Sequence, residues 1–257
     1  MKPTFILTHE SWELVLYLFA SMITCILLGI FIGRKFYKEY EKEGTVQGAL
    51  FAILGLLLAF TFSMSLSRYD KRIDIIIEEA NDIGTAVLRA DLYPQAEREQ
   101  FRNDFRKYVE ARIAYLEAGT DTSKIRQSLK DAAVVSQLLW ERATRLSKDS
   151  GTTSVASMQM IPALNNMFDI ANTRWYMNWA KVPEPVLYLL YLLICICSFY
   201  SGYVLSSKKK IDWISVLGFC LLVCAIVHLI IDLDRPRRGA ITLEEVNESI
   251  VELRKMF

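Results

Sequence analysis

The sequence predicts an all-α membrane protein: four transmembrane helices in two hairpins, with a long helical aqueous insert between spans 2 and 3. Three observations predict it. Four apolar stretches of about twenty residues carry almost no charge, most charged residues lie between positions 68 and 183, and no stretch alternates with the two-residue period of a strand. The 257 residues are 53% hydrophobic yet 23% charged, which suits a membrane protein carrying a water-exposed part.

The first span, 12–33, contains only Glu13 at its edge and is long enough to cross about 30 Å of hydrocarbon. It does not read as a cleavable signal, because the apolar core is too long, Lys2 is the only basic residue before it, and no small-x-small site follows. Gly29 and Gly33 form a GxxxG, which permits close helix packing and is about as often a chance match in such a segment. The second span is 46–66, the third 185–205 and the fourth 211–231. Pro183 and Pro185 suit the start of the third helix, where a missing amide proton matters least. The resulting divisions are a membrane hairpin at 1–66, an aqueous domain at 67–183, a second hairpin at 184–232 and a tail at 233–257. The expected location is the cell's inner (plasma) membrane, with several passes.

Charge does not choose a side. Arg34, Lys35, Lys38 and Lys42 in the first linker and Lys208, Lys209 and Lys210 in the second favour cytoplasmic linkers, whereas Arg68, Lys71 and Arg72 after span 2 and Arg235, Arg237 and Arg238 after span 4 favour the reverse.

Beyond Arg68, the apolar positions Tyr69, Ile73, Ile76, Ile77, Ala80, Ile83 and Val87 recur at helical spacing, so span 2 is expected to continue into water as one rod as far as Tyr93. After Pro94 a second amphipathic helix carries Phe101, Phe105, Tyr108, Val109, Arg112 and Leu116 and ends near Gly119. Thr122 is the expected N-cap of a third, with Ile125, Leu129, Ala132, Leu139 and Leu146 on one face. Gly151, Thr152 and Thr153 precede a fourth, which bears Met158, Ile161, Leu164, Phe168 and Ala171 and runs toward Lys181. These four make a helical bundle.

A net charge of +1 provides no basic field for coating nucleic acid, so nucleic acid is not an expected partner. The five cysteines, Cys25, Cys195, Cys197, Cys220 and Cys224, all lie in apolar stretches, which supports neither a disulfide framework nor a zinc site. No HExxH, Walker loop or GxSxG occurs, and the expectation is a protein that is not an enzyme.

Three groups of polar residues remain. Thr61 and Ser65 are four apart on a span-2 face that continues toward Arg68 and Arg72; hydroxyls leading to a basic mouth suit an anion path, and hydroxyls bonding their own backbone explain the pattern equally well. Phe60 and Phe62 beside them suit a constriction or ordinary packing. Glu78, Glu79 and Asp82 on one helix and Asn165, Asp169 and Asn172 on another offer oxygens for a divalent cation such as calcium, or for a buried hydrogen-bond network that fixes the bundle's register; the network is the commoner outcome. His228 and Asp232, four apart at the end of span 4, suit a hydrogen-bonded pair at the membrane edge.

The run FTFSMSLSRYDKRIDIIIEEANDIGTAVLRADLYP, the segment IPALNNMFDIANTR and the tail DLDRPRRG together resemble the bestrophin-like family of bacterial integral membrane proteins. That family is named for a remote similarity to bestrophins, pentameric calcium-activated anion channels with two membrane hairpins around a helical aqueous domain. The resemblance implies a bestrophin-like fold and a homo-oligomer, a pentamer by analogy. It further implies a central pore for small inorganic ions, built from span 2 and its continuation, with the insert and termini in the cytoplasm. The dense acidic run of the bestrophin calcium site is missing, since DLDRPRRG alternates acid with base, so no resident cofactor is expected. The alternative is a non-conducting membrane-anchored signalling or scaffold protein whose insert binds a soluble partner through the face from Glu97 to Arg106.

Overall fold

A computed structural model of the chain describes residues 9–36, 44–149, 154–208 and 210–257. Lys38, Lys42 and Lys209 of the linkers and the expected breakpoint Gly151 to Thr153 lie outside the described residues. All regular structure among the described residues is helical: α1 Ser11–Phe36, α2 Gly44–Arg89 with a 3-10 turn Ala90–Leu92, α3 Gln95–Glu117, α4 Thr122–Leu146, α5 Ser154–Met177, α6 Glu184–Leu205, α7 Trp213–Leu233 and α8 Glu244–Val251, followed by a 3-10 turn Glu252–Met256. The all-α expectation holds. Four of these helices, α1, α2, α6 and α7, are long and apolar enough to cross a membrane.

The chain divides into two compact units. The first comprises residues Met1–Tyr69, Lys181–Arg235 and Gly239–Ile241, and so holds the apolar spans. Its core is drawn from all four: Met22 and Ile26 of α1, Leu54 and Leu58 of α2, Ile194 and Cys197 of α6, and Cys220 and Ile230 of α7. The GxxxG of α1 is a packing device rather than a chance match. A Cβ on Gly29 would collide with the backbone of Phe199 and Tyr203, one on Gly33 with Ser206, and one on Gly202 with the backbone of Ile26. Close approach brings backbone against backbone along this seam, in a setting where van der Waals packing is the main attraction between helices. Outward, large apolar side chains such as Leu16, Phe31, Leu192, Ile214 and Leu222 stay exposed, as lipid-facing residues do.

The second unit comprises Asp70–Ala180, Pro236–Arg238 and Thr242–Phe257. α3 and α4 form a hairpin whose turn at Ala118–Asp121 uses Gly119 at φ +52°. The N-cap of α4 is Asp121 and not Thr122: the Asp121 carboxylate accepts from the amides of Ser123 at 2.9 Å and Lys124 at 3.2 Å, since a carboxylate one residue earlier reaches both orphan donors. Phe101, Phe105, Tyr108, Ile83, Leu139 and Met160 are buried together in the core of this unit. Arg142 of α4 closes the α3–α4 face, donating to Asp104 at 2.7 Å and lying 5.6 Å from the centre of the Phe101 ring.

Candidate functional site

Along α2 a buried stripe repeats at helical spacing. In the first unit it reads Leu54, Leu58, Thr61, Ser65. The expected continuity of Thr61 and Ser65 on one face is present, but that face points into the protomer. Thr61 is 1% exposed and its hydroxyl donates to the Leu57 carbonyl at 2.6 Å, the back-bonding open to a threonine in an apolar helix. Ser65 is fully buried and its hydroxyl has no partner among the described residues. Buried against their own chain, these two line no open surface of the protomer.

The aromatic neighbours diverge. Phe60 is 61% exposed and lines an apolar groove of about 290 Å3 with Ile53, Leu56, Leu57 and, from α6, Leu189, Leu193 and Ile196. Phe62 is partly buried against the four-helix core. The open side of α2 is therefore a different one. Gly48, Ala52, Gly55, Ala59 and Ser63 follow one another three or four residues apart, all exposed, on a side about a third of a turn from the buried Leu54, Leu58, Thr61 and Ser65. A Cβ on Gly48 or Gly55 would meet nothing within 4 Å.

Arg68 lies 3.8 Å from Asp234 in the first unit. Arg72, in the second, is 3% exposed and donates to the carbonyls of Met177 at 3.4 Å and Ala180 at 2.7 Å, at the C-terminal end of α5 where the helix dipole favours a cation. Neither side chain is an open basic mouth.

The tail motif is a set of anchors. Asp232 accepts from the Ser11 hydroxyl at 3.3 Å and from the amides of Ala240 at 2.8 Å and Ile241 at 2.9 Å. Gly239, at φ +97°, lies so close over that carboxylate that a Cβ would collide with it. Asp234 accepts from the Val182 amide at 2.5 Å, and Arg235 donates to the His9 carbonyl at 2.8 Å. The expected His228–Asp232 pair is thus not the bond that Asp232 makes: backbone amides two turns further on take its oxygens, because Gly239 lets the chain fold back over them.

In the second unit the candidate oxygens separate. Asn165, Asp169 and Asn172 are all exposed, and so is Glu78, while Asp82 is half-buried. The neighbouring Glu78 charge and partial burial raise the Asp82 carboxyl, burial contributing the more. Among the described residues no group of three or more His, Cys, Asp or Glu side chains is placed to hold a metal ion.

Glu79 alone turns inward, and it meets arginines. Its carboxylate is fully buried, accepting from Arg112 at 2.6 Å through Oε1 and from Arg174 at 2.5 Å through Oε2. Arg174 also donates to Asn247 of α8 at 2.7 Å. Burial opposes the Glu79 charge, yet the two guanidiniums outweigh it and hold the carboxyl below its ordinary value. Burial pushes the adjacent Tyr108 phenol up to about 12, so it stays neutral. Of the six residues grouped by the sequence, Glu79 alone enters this network, and its partners are arginines of α3 and α5 rather than Asn165, Asp169 or Asn172. The signal was present: Arg112 sits on the apolar face of its helix beside Tyr108 and Val109, a position an unpaired cation does not occupy.

Architecture and composition define a polytopic helical membrane protein with a separate helical unit. A Bestrophin-like domain model matches residues 15–247, and the chain belongs to the Bestrophin-like family. No curated protein and no solved structure matches the chain.

Proposed function

We propose that the chain is one subunit of a homo-oligomeric ion channel, pentameric by family analogy, resident in the plasma membrane and passing small anions. The pore runs along the exposed side of α2 formed by Gly48, Ala52, Gly55, Ala59 and Ser63. What carries the reading is that α2 keeps this one side free of bulky groups from Gly48 to Ser63, with Leu66 the first large side chain to follow on it, while the exposed Ile53, Leu56, Phe60 and Met64 on another side are large and apolar. Small side chains leave room around a symmetry axis, and the Ser63 hydroxyl there offers a permeating ion a partial ligand. Thr61 and Ser65, expected from spacing to line the path, take a packing role in this arrangement. Leu88, Leu92, Val134 and Leu138 are exposed on the second unit and supply apolar surface for subunit contact.

The test is flux through purified protein in liposomes, with chloride and sodium gradients run separately, alongside subunit counting by crosslinking. Ser63→Trp is expected to abolish chloride flux while leaving oligomer size unchanged, and Thr61→Val to leave flux within about twofold. An impermeable, monodisperse monomer overturns the proposal. An impermeable oligomer instead favours the scaffold alternative, in which the helical unit binds a soluble partner.

A further inference from the structure

The second unit contains a cleft of about 100 Å3 whose walls include Arg72, Tyr115, Arg174, Asn178, Arg237 and Asn247. We infer that this cleft is a binding site for a small oxyanion, a phosphate or carboxylate group. The proposal stands on the cleft and is independent of whether the protein conducts.

Charge balance is the first argument. Arg112 and Arg174 share the single carboxylate of Glu79, leaving that buried group with a net positive charge. Arg237 adds another. Its guanidinium donates to the backbone carbonyls of Tyr115 at 3.3 Å and Gly119 at 2.8 Å and stacks 4.3 Å from the Tyr115 ring centre, with no carboxylate among its partners. Arg72 is held by two carbonyls at the end of α5. Three guanidiniums therefore converge on one recess, and Glu244, exposed on its rim, is the only carboxylate lining it among the described residues.

Geometry is the second. Arg72 and Arg174 are almost fully buried, at 3% and 7% exposure, and each is fixed by hydrogen bonds, so their orientation is set before any ligand arrives. Asn178, whose amide donates to the Tyr115 hydroxyl at 2.7 Å, and Asn247 add neutral polar groups to the wall. Planar guanidiniums held rigidly at the wall of a small recess match the paired oxygens of a phosphate or carboxylate. The volume holds several waters, since one water needs about 10–15 Å3 on the same measure, and hence a phosphate-sized group.

The probes are inorganic phosphate and succinate, added to the purified full chain in detergent and compared with chloride at equal ionic strength. Binding is read by calorimetry and by the unfolding midpoint. Phosphate or succinate is expected to bind saturably and raise the midpoint. Arg237→Gln should weaken binding at least tenfold, and Arg254→Gln, which removes an equal charge from the exposed Glu110 pair, should leave it within twofold. Glu244→Gln, which removes the negative charge from the rim, should tighten binding several-fold; a gain of this kind cannot come from misfolding. The proposal is overturned if both probes act no differently from chloride, if Arg237→Gln and Arg254→Gln weaken binding equally, or if Glu244→Gln fails to tighten it. Preference for phosphate over succinate, or the reverse, identifies which oxyanion class the cleft selects.

Discussion

Replacing Glu79 by glutamine removes one negative charge and leaves two arginines facing each other in a site that water does not reach. The wild-type carboxylate accepts charge-assisted bonds of 2.5–2.6 Å from Arg112 and Arg174. A hydrogen bond to a charged group contributes about 1.5–3 kcal/mol, so two contribute about 3–6 kcal/mol. Breaking a buried ion pair from one side costs about 3–5 kcal/mol, which agrees. The glutamine amide nitrogen is itself a donor and cannot accept from the second guanidinium. For a chain of this size each kcal/mol moves the midpoint by about 2–4 °C, and the expected fall is about 6–20 °C in thermal unfolding of the full chain in detergent. The acid limb offers a second reading. Because the Glu79 carboxyl is held below its ordinary value of 4.5, its contribution is complete above that value and is lost as pH falls through the lower folded value. Glu79→Gln should therefore flatten the loss of stability below about pH 4.5. A companion, Glu79→Met with Arg112→Leu and Arg174→Met, removes all three charges and should recover most of the midpoint. A fall under about 2 °C for Glu79→Gln, or a triple variant less stable than the single one, refutes the account.

Gly202→Val drives a branched side chain into the backbone of Ile26 and is expected to cost about 3 kcal/mol or to prevent monodisperse purification, read by size-exclusion chromatography. Gly239→Ala meets both a positive φ and the Asp232 carboxylate; a loss of about 1–3 kcal/mol should appear in the unfolding midpoint. Arg254→Gln breaks an exposed pair with Glu110 and should change stability by less than about 1 kcal/mol, a difference that 0.5 M salt should erase.

The four spans and the rod-like continuation of span 2 were legible because length, apolarity and helical period are properties of one segment at a time. Residues 46–66 and the stripe from Ile76 to Val87 fall within the single helix α2. Which side of that helix faces its own chain was not legible. Thr61 and Ser65 share a buried stripe with Leu54 and Leu58, and those leucines sit in a core with residues of α1, α6 and α7 that are distant in sequence. Hydroxyls at that spacing suit an anion path and backbone bonding equally, and only the folded protomer shows which side of the helix stays open. The same limit applies to Glu79. Its acidic neighbours Glu78 and Asp82 suggested a cation site, but its two partners are 33 and 95 residues away, and no local pattern names them. The tail could be read only as alternating acid and base; Asp232, Asp234, Arg235 and Arg237 each anchor a different backbone segment, which requires the folded path to be seen.

The seam between α1 and α6 has a mechanical consequence. Side chains that interdigitate can change rotamer and let two helices slide or roll, but Gly29, Gly33 and Gly202 place main chain directly on main chain, with no torsion to absorb a displacement. The two helices therefore move as one rigid spindle.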